Sequence, residues 1–206
     1  MKNAKIVQNF GRNLRFKPKY IYSPSNRVEL IDILQKHNNG KIRVVASKHS
    51  WSDLIETEDV LIDISHFDYI RVQEKNHGTT VTVGAGCKVK RLLAELSRKG
   101  LTIPSVGLIA EQTIAGATAT GTHGSGKHSL SHYIESLQIA CFDETGKSAK
   151  IIDISEGEPL QAARCSLGCL GVVVELTLPC IPQYFVQEKS TFCKTIEEVL
   201  VLEEQA

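Results

Sequence analysis

The sequence predicts a mixed α+β (α/β) fold in two lobes, a small N-terminal α/β lobe followed by a larger α+β lobe. Three observations carry this reading. A helix-period stretch and two short β-branched runs come first, alternating hairpin patterns follow, and a long run of small residues interrupts the hairpins at 104–126.

In the first part, Val28, Ile31 and Leu34 of NRVELIDILQKHNNG recur at helical spacing, and Asn39-Gly40 supplies a stop. A helix from about Arg27 to His37 follows. IRVVA at 42–46 has no polar alternation, which suits a buried strand, and VLIDI at 60–64 is a second run of the same kind. Residues from about Asn13 to Ile64 can therefore form a small parallel sheet with a covering helix. The loop between the two strands carries His49.

From Tyr69 the pattern changes. YIRVQE and TTVTVG alternate around NHG, a hairpin signal, and end in Gly84-Ala85-Gly86. CKVKRLLAELSRKG then places Val89, Leu92, Leu93 and Leu96 on one helix face, with Gly100 as terminator. After the small-residue run, YIESLQIACFD and KIIDIS form a second hairpin about a turn at Glu144 to Gly146. A helix around Glu158 to Arg164, a strand at 171–178 and a final helix in TIEEVLVLEEQA complete the chain.

Composition narrows the function. With 42% hydrophobic residues the chain can build a core, and 24 Lys and Arg against 23 Asp and Glu leave a net charge of +1. No basic field attracts nucleic acid or anionic lipid, so neither is expected as a partner. No membrane segment and no secretory signal is read in the chain. The six cysteines contain no CxxC pair, which points to reduced thiols and a cytoplasmic setting, with Cys165 and Cys169 expected as small buried hydrophobes.

The run PSVGLIAEQTIAGATATGTHGSG at 104–126 cannot be one regular helix, because Pro104, Gly107, Gly116, Gly121, Gly124 and Gly126 interrupt it. Small side chains let backbone touch a ligand directly. No dinucleotide fingerprint explains it, since Gly84 and Gly86 have no third glycine at the required spacing, and no Walker loop is completed. His123, His128 and His132 raise a metal reading, but no cysteine or carboxylate completes a ligand set, so no metal is expected.

KHSWSD at 48–53, QTIAGATATGTHGSG at 112–126 and SLGCLGVVVELTL at 166–178, in that order, resemble the PCMH-type FAD-binding domain of the vanillyl-alcohol oxidase superfamily. The aldonolactone oxidases, such as gulonolactone oxidase, and the alditol oxidases are the most similar members. The resemblance implies a flavin domain over 9–192, with lobe one at about 9–66, lobe two at about 67–185 and FAD extended between them. Residues 193–206 would begin a C-terminal substrate domain that is cut short.

The resemblance also implies site residues. The loop Ala46, Ser47, Lys48, His49 and Ser50 would bind the pyrophosphate through backbone N–H groups, and His49 would be joined covalently to the flavin. Relatives usually carry glycine just before this histidine, where Lys48 stands here; Lys48 could add charge near the phosphates or crowd the turn. Gly107, Thr113, Gly116, Ala117, Thr118, Ala119, Thr120, Gly121 and His123 would line the FAD, with Leu108 and Glu111 nearest a substrate. Val172 and Val173 would meet it by main chain or serve only as a core strand. Trp51 would pack on the cofactor or in the core. The activity implied is oxidation of a hydroxyl of a sugar alcohol or aldonolactone by hydride transfer to flavin, with dioxygen or another molecule as acceptor. The alternative is an FAD-binding module without turnover of its own, completed by a missing domain or a partner chain.

Overall fold

The computed structural model describes residues 5–76, 78–126 and 128–204. In chain order the elements are β1 (Val7–Gln8), β2 (Arg15–Phe16), β3 (Tyr20–Tyr22), α1 (Arg27–Lys36), β4 (Ile42–Val45), β5 (Val60–Asp63), β6 (Ile70–Lys75), β7 (Gly78–Gly84), α2 (Val89–Ser97), β8 (Leu101–Thr102), α3 (Ile114–Ala119), β9 (Ser136–Phe142), β10 (Ala149–Ile154), α4 (Gly157–Arg164), β11 (Val172–Pro179), β12 (Ile181–Pro182) and α5 (Ile196–Glu204).

Helix α1 starts where Asn26 caps it, its side-chain oxygen accepting from the Glu29 N–H at 3.0 Å while the Glu29 carboxylate accepts from Ser25 N–H at 2.7 Å. Strands β3, β5 and β4 form the expected parallel sheet, with β5 in the centre and β4 at one edge. The sequence pattern shows β4 and β5 but not β3, which is only three residues long and partly exposed. A central strand buried on both faces reads as an apolar run, and Val60, Leu61 and Ile62 are 0%, 1% and 0% exposed.

The second sheet is antiparallel in the order β10-β9-β11-β7-β6, built from the two expected hairpins with β11 inserted between them. His77, central to the first predicted turn, lies outside the described residues. Gly84 and Gly86 permit close backbone crossing: a Cβ on them would sit 2.3 Å from the Phe67 carbonyl oxygen and 2.2 Å from that of Ile64. Helix α2 buries Val89, Leu92 and Leu96, and Gly100 ends its turn with φ of 68°.

Helix α1 joins the two sheets. Its buried Leu30 and Leu34 belong to the same continuous core as Val60 and Ile62 of the first sheet and Val81, Leu137, Ile139 and Leu176 of the second. A polar clasp reinforces this. Glu175 of β11 accepts through one oxygen from Arg27 of α1 at 2.8 Å, from Arg71 of β6 at 2.7 Å and from the Tyr69 hydroxyl at 2.5 Å. Burial and the Glu175 carboxylate push the Tyr69 hydroxyl pKa up to about 12.

One expectation about the cysteines is corrected: Cys165 and Cys169 are exposed, not buried. They fall in a turn where Leu167, Gly168 and Gly171 take φ of 53°, 77° and 131°, a path that passes over the surface. All six cysteines are free.

Candidate functional site

In the turn after β4 four carbonyls are engaged by the protein while a row of N–H groups is not. Ala46 and Lys48 carbonyls accept from the Lys48 ammonium and the Phe10 N–H, and the Ser50 and Trp51 carbonyls accept from the side-chain amides of Asn9 and Asn13. Among the described residues, the backbone N–H groups of Ser47, Lys48, His49 and Ser50 have no protein acceptor. Consecutive free N–H groups in a turn with one left-handed residue form an anion-binding concavity. Lys48 is that residue, with φ of 57°. Glycine suits such a conformation better than lysine does. The Lys48 ammonium pairs with Asp63, 3.3 Å away.

A cleft of about 690 Å³ opens beside this turn and runs along the free side of β4. That is within the range of small-molecule and cofactor sites. Most of its lining comes from four places: residues 40–50, the helix α3 segment, the end of β9 at Ala140 to Phe142, and the turn 167–173 leading into β11, with Leu34, Leu54, Ile55 and Ile64 completing it. The Ser47 hydroxyl accepts from the Thr113 N–H at 3.2 Å and ties the first wall to the second.

Of the residues expected at the site, Ala46, Ser47, Lys48, His49, Ser50, Thr113, Gly116, Ala119, Thr120, Val172 and Val173 line this cleft together. Gly107, Ala117, Thr118, Gly121 and His123 do not. Helical periodicity sorts them: Thr113, Gly116, Ala119 and Thr120 are spaced three and four apart on one face. Ala117 and Thr118 turn into the core at 1% and 2% exposure, and the Thr118 hydroxyl donates to the Ile114 and Ala115 carbonyls. Gly121, with φ of 69°, ends α3 in a paired turn, its N–H bonded to Thr118 O and that of Thr122 to Ala117 O. Gly107 packs against Thr122, and His123 is exposed with Nδ1 beside the Gly124 carbonyl.

Leu108 is almost wholly exposed, and neither it nor Glu111 lines the cleft. The ammonium groups of Lys88 and Lys90 hold the Glu111 carboxyl down to about 2. Trp51 is 65% exposed, edge-on to Phe10, in neither core nor cleft. The structure adds Arg43, Gln112 and Leu167 to Gly171 to the walls. The last of these lie within a motif visible in the sequence; Arg43 sits in an apolar strand run and carried no signal.

Comparison with known proteins decides the family. The family model described as FAD binding domain matches residues 18–151. The chain belongs to this family. Its cofactor is FAD, and the fold is the two-lobed PCMH-type flavin fold. Among curated proteins it is 45% identical over 193 residues to a long-chain alcohol oxidase of an uncultured marine euryarchaeote, covering 94% of this chain and 40% of that protein. It is 31% identical over 198 residues to the L-gulonolactone oxidase of Bos taurus, covering 94% and 44%. The crystal structure of cholesterol oxidase from Brevibacterium sterolicum superposes with a TM-score of 0.76 at 20% identity, over 87% of this chain and 37% of that one. The chain thus spans about two fifths of the length of these relatives.

The residues present fit FAD. The free N–H groups at Ser47 to Ser50 match a diphosphate, and Gly116 and Ala119 leave room for a flat ring. Two cleft-lining side chains, Arg43 and Gln112, carry buried polar atoms, Nε and Oε1, with no partner among the described residues. Buried polar groups are normally bonded, so these mark where a polar ligand belongs. Among the described residues no cluster of three metal-ligating side chains occurs, and no helix is long and apolar enough to cross a membrane.

Proposed function

We propose that this chain is the flavin-holding part of an oxidoreductase that oxidises a hydroxyl-bearing carbon of an alcohol or aldonolactone. The observation that carries the reading is the row of unengaged N–H groups at Ser47 to Ser50 facing one continuous cleft with the small-residue face of α3. FAD, when bound, supplies the hydride acceptor. The N–H groups would fix its diphosphate, and Gly116, Ala119 and Thr120 would let the ring lie against α3. The walls on both sides of the cleft would exclude water from the reacting face. Dioxygen or another acceptor would take the electrons.

His49 lines the cleft at the end of the anion-binding turn, which supports a covalent bond from its imidazole to the flavin. The names of the relatives, an alcohol oxidase and a gulonolactone oxidase, support two substrate classes. Anaerobic titration separates them: bleaching of the yellow chain by a long-chain alcohol, by a polyol or by an aldonolactone identifies the class. Bound flavin that no alcohol or lactone bleaches would favour a second reading, a binding module that turns over only when completed. One observation favours that reading. Phe185, Val186 and Phe192 are 93%, 80% and 87% exposed, an apolar surface suited to contact with a further domain or chain.

A further inference from the structure

The net charge of +1 is the sum of two opposed regions. Residues 1–28 hold seven of the 24 Lys and Arg and no Asp or Glu, so the rest of the chain carries 17 cations against 23 acids. The total hides a local field of one sign.

Folding gathers much of this charge on the hairpin of β1 and β2. Val7 pairs with Phe16, and both turn inward, at 7% and 8% exposure, to pack with Val45 and Leu61. Alternation sends their neighbours Ile6, Gln8, Arg15 and Lys17 to the outer face, and all four are exposed. Arg27 is engaged by Glu175, but among the described residues Lys5, Arg12, Arg15 and Lys17 have no ion-pair partner.

The hairpin loop adds aromatic rings to these cations. Buried Asn9 shapes it, its side-chain oxygen accepting from the Leu14 N–H at 3.1 Å and its amide donating to Asn13 Oδ1 at 2.7 Å and the Ser50 carbonyl at 2.8 Å. Phe10 and Trp51 are held edge-on to each other while 45% and 65% exposed. A Cβ on Gly11 would lie 2.6 Å from the Trp51 ring, so glycine is what lets the indole rest on the loop. Two rings are thus fixed in water beside unpaired cations, a surface that suits an apolar partner bearing negative charge.

An anionic bilayer has that chemistry, since its phosphates meet Lys and Arg while aromatic rings enter its interface. Nucleic acid shares the charge, but base stacking needs an open ring face. One face of Phe10 is covered by His49, and Trp51 lies against Gly11. Rings that insert by their edges among acyl chains need no open face.

We infer that the β1–β2 hairpin and Trp51 form a docking surface for an anionic lipid bilayer. The stack of Phe10 on His49, which lines the cleft, sets this surface beside the cleft. The inference does not depend on the flavin reading.

Trp51 is the single tryptophan of the chain, so its emission reports directly on this surface. The chain is mixed with phosphatidylcholine vesicles, with and without phosphatidylserine, and binding is measured by cosedimentation beside the emission. Binding is expected only with phosphatidylserine, weakening as salt is raised, with Trp51 emission moving to shorter wavelength. The triple variant Arg12→Gln, Arg15→Gln, Lys17→Gln should bind about 100-fold more weakly, at about fivefold per cation, whereas Lys99→Gln, Lys147→Gln, Lys189→Gln should change binding by less than about twofold. Equal losses in the two triple variants overturn the inference, as does a wild-type chain that ignores phosphatidylserine. Binding with unshifted Trp51 emission overturns it too, because the lipid then lies elsewhere. A wild-type chain that prefers single-stranded DNA to the vesicles assigns the surface to nucleic acid instead. If the hairpin variant does not fold, Trp51→Ser decides: phosphatidylserine binding weakened about tenfold supports the inference and unchanged binding overturns it.

Discussion

The imidazole of His49 lies flat on the phenyl ring of Phe10, with centroids 4.3 Å apart and planes 19° from parallel. Trp51 meets Phe10 edge-on, with ring centroids 4.8 Å apart. A stacked pair of this kind contributes about 0.5–1.5 kcal/mol beyond the area it buries. That is enough to choose one ring orientation over others. Phe10 therefore positions the group proposed to bond the flavin.

From this it follows that wild-type holoprotein keeps its yellow colour through acid precipitation and that His49→Ala releases all of it. Phe10→Ala should slow acquisition of the acid-stable colour by about 2- to 10-fold, the kinetic equivalent of the stacking energy. Complete release of flavin from the wild type would remove the covalent bond from the proposal and leave the rest standing.

Lys48 has φ of 57°, a left-handed conformation that a residue with a Cβ holds at an energetic disadvantage. Both Lys48→Gly and Lys48→Ala lose the half-exposed pair with Asp63, so comparing them isolates the backbone. The glycine variant should be more stable than the alanine variant by about 1 kcal/mol in denaturant unfolding. The opposite order would show that the turn relaxes when the side chain is shortened.

Gly171 has φ of 131°, and a Cβ there would lie 2.4 Å from the Ala140 carbonyl oxygen. Gly171→Ala must distort both the turn 167–171 and the pairing of β11 with β9. A loss of about 3 kcal/mol is expected, with weaker FAD binding because that turn walls the cleft. Thermal melts with and without added FAD measure both effects.

The Glu175 clasp gives a signature at high pH. Tyr69 has its pKa raised from about 10 to about 12, so its protonated form is favoured in the folded chain. The stability this contributes is fully present below about pH 10 and is lost as pH rises through 12. Unfolding free energy should fall between these values in the wild type, and Tyr69→Phe should flatten that decline. An unchanged slope in Y69F would assign alkaline loss to other groups.

Much of the fold was legible because it rests on periodicity. The helix at 27–36, the parallel strands β4 and β5, both hairpins and the late strand β11 each carry a clear apolar pattern. Strands β1, β2, β3, β8 and β12, of two or three residues, are too short to show any. The site was legible at its turn and less so in the small-residue run. There a resemblance names a continuous stretch, whereas the six-residue helix α3 turns Ala117 and Thr118 inward and Gly116 and Ala119 outward. Arg43 and Gln112 stayed hidden because their interest lies in missing partners, a property of three-dimensional surroundings. Cys165 and Cys169 misled for a related reason, since thiols are commonly buried and the surface course of their turn depends on Leu167, Gly168 and Gly171.

Strand β4 pairs on one side only, and the cleft proposed for the dinucleotide runs along the other. Open ladder groups invite a strand from a second molecule. Bound FAD would occupy that approach and so would also guard the chain against self-association. Protein made under riboflavin shortage should enter aggregates in proportion to its empty fraction, and the loss should be reversed by supplying the vitamin during synthesis rather than after it.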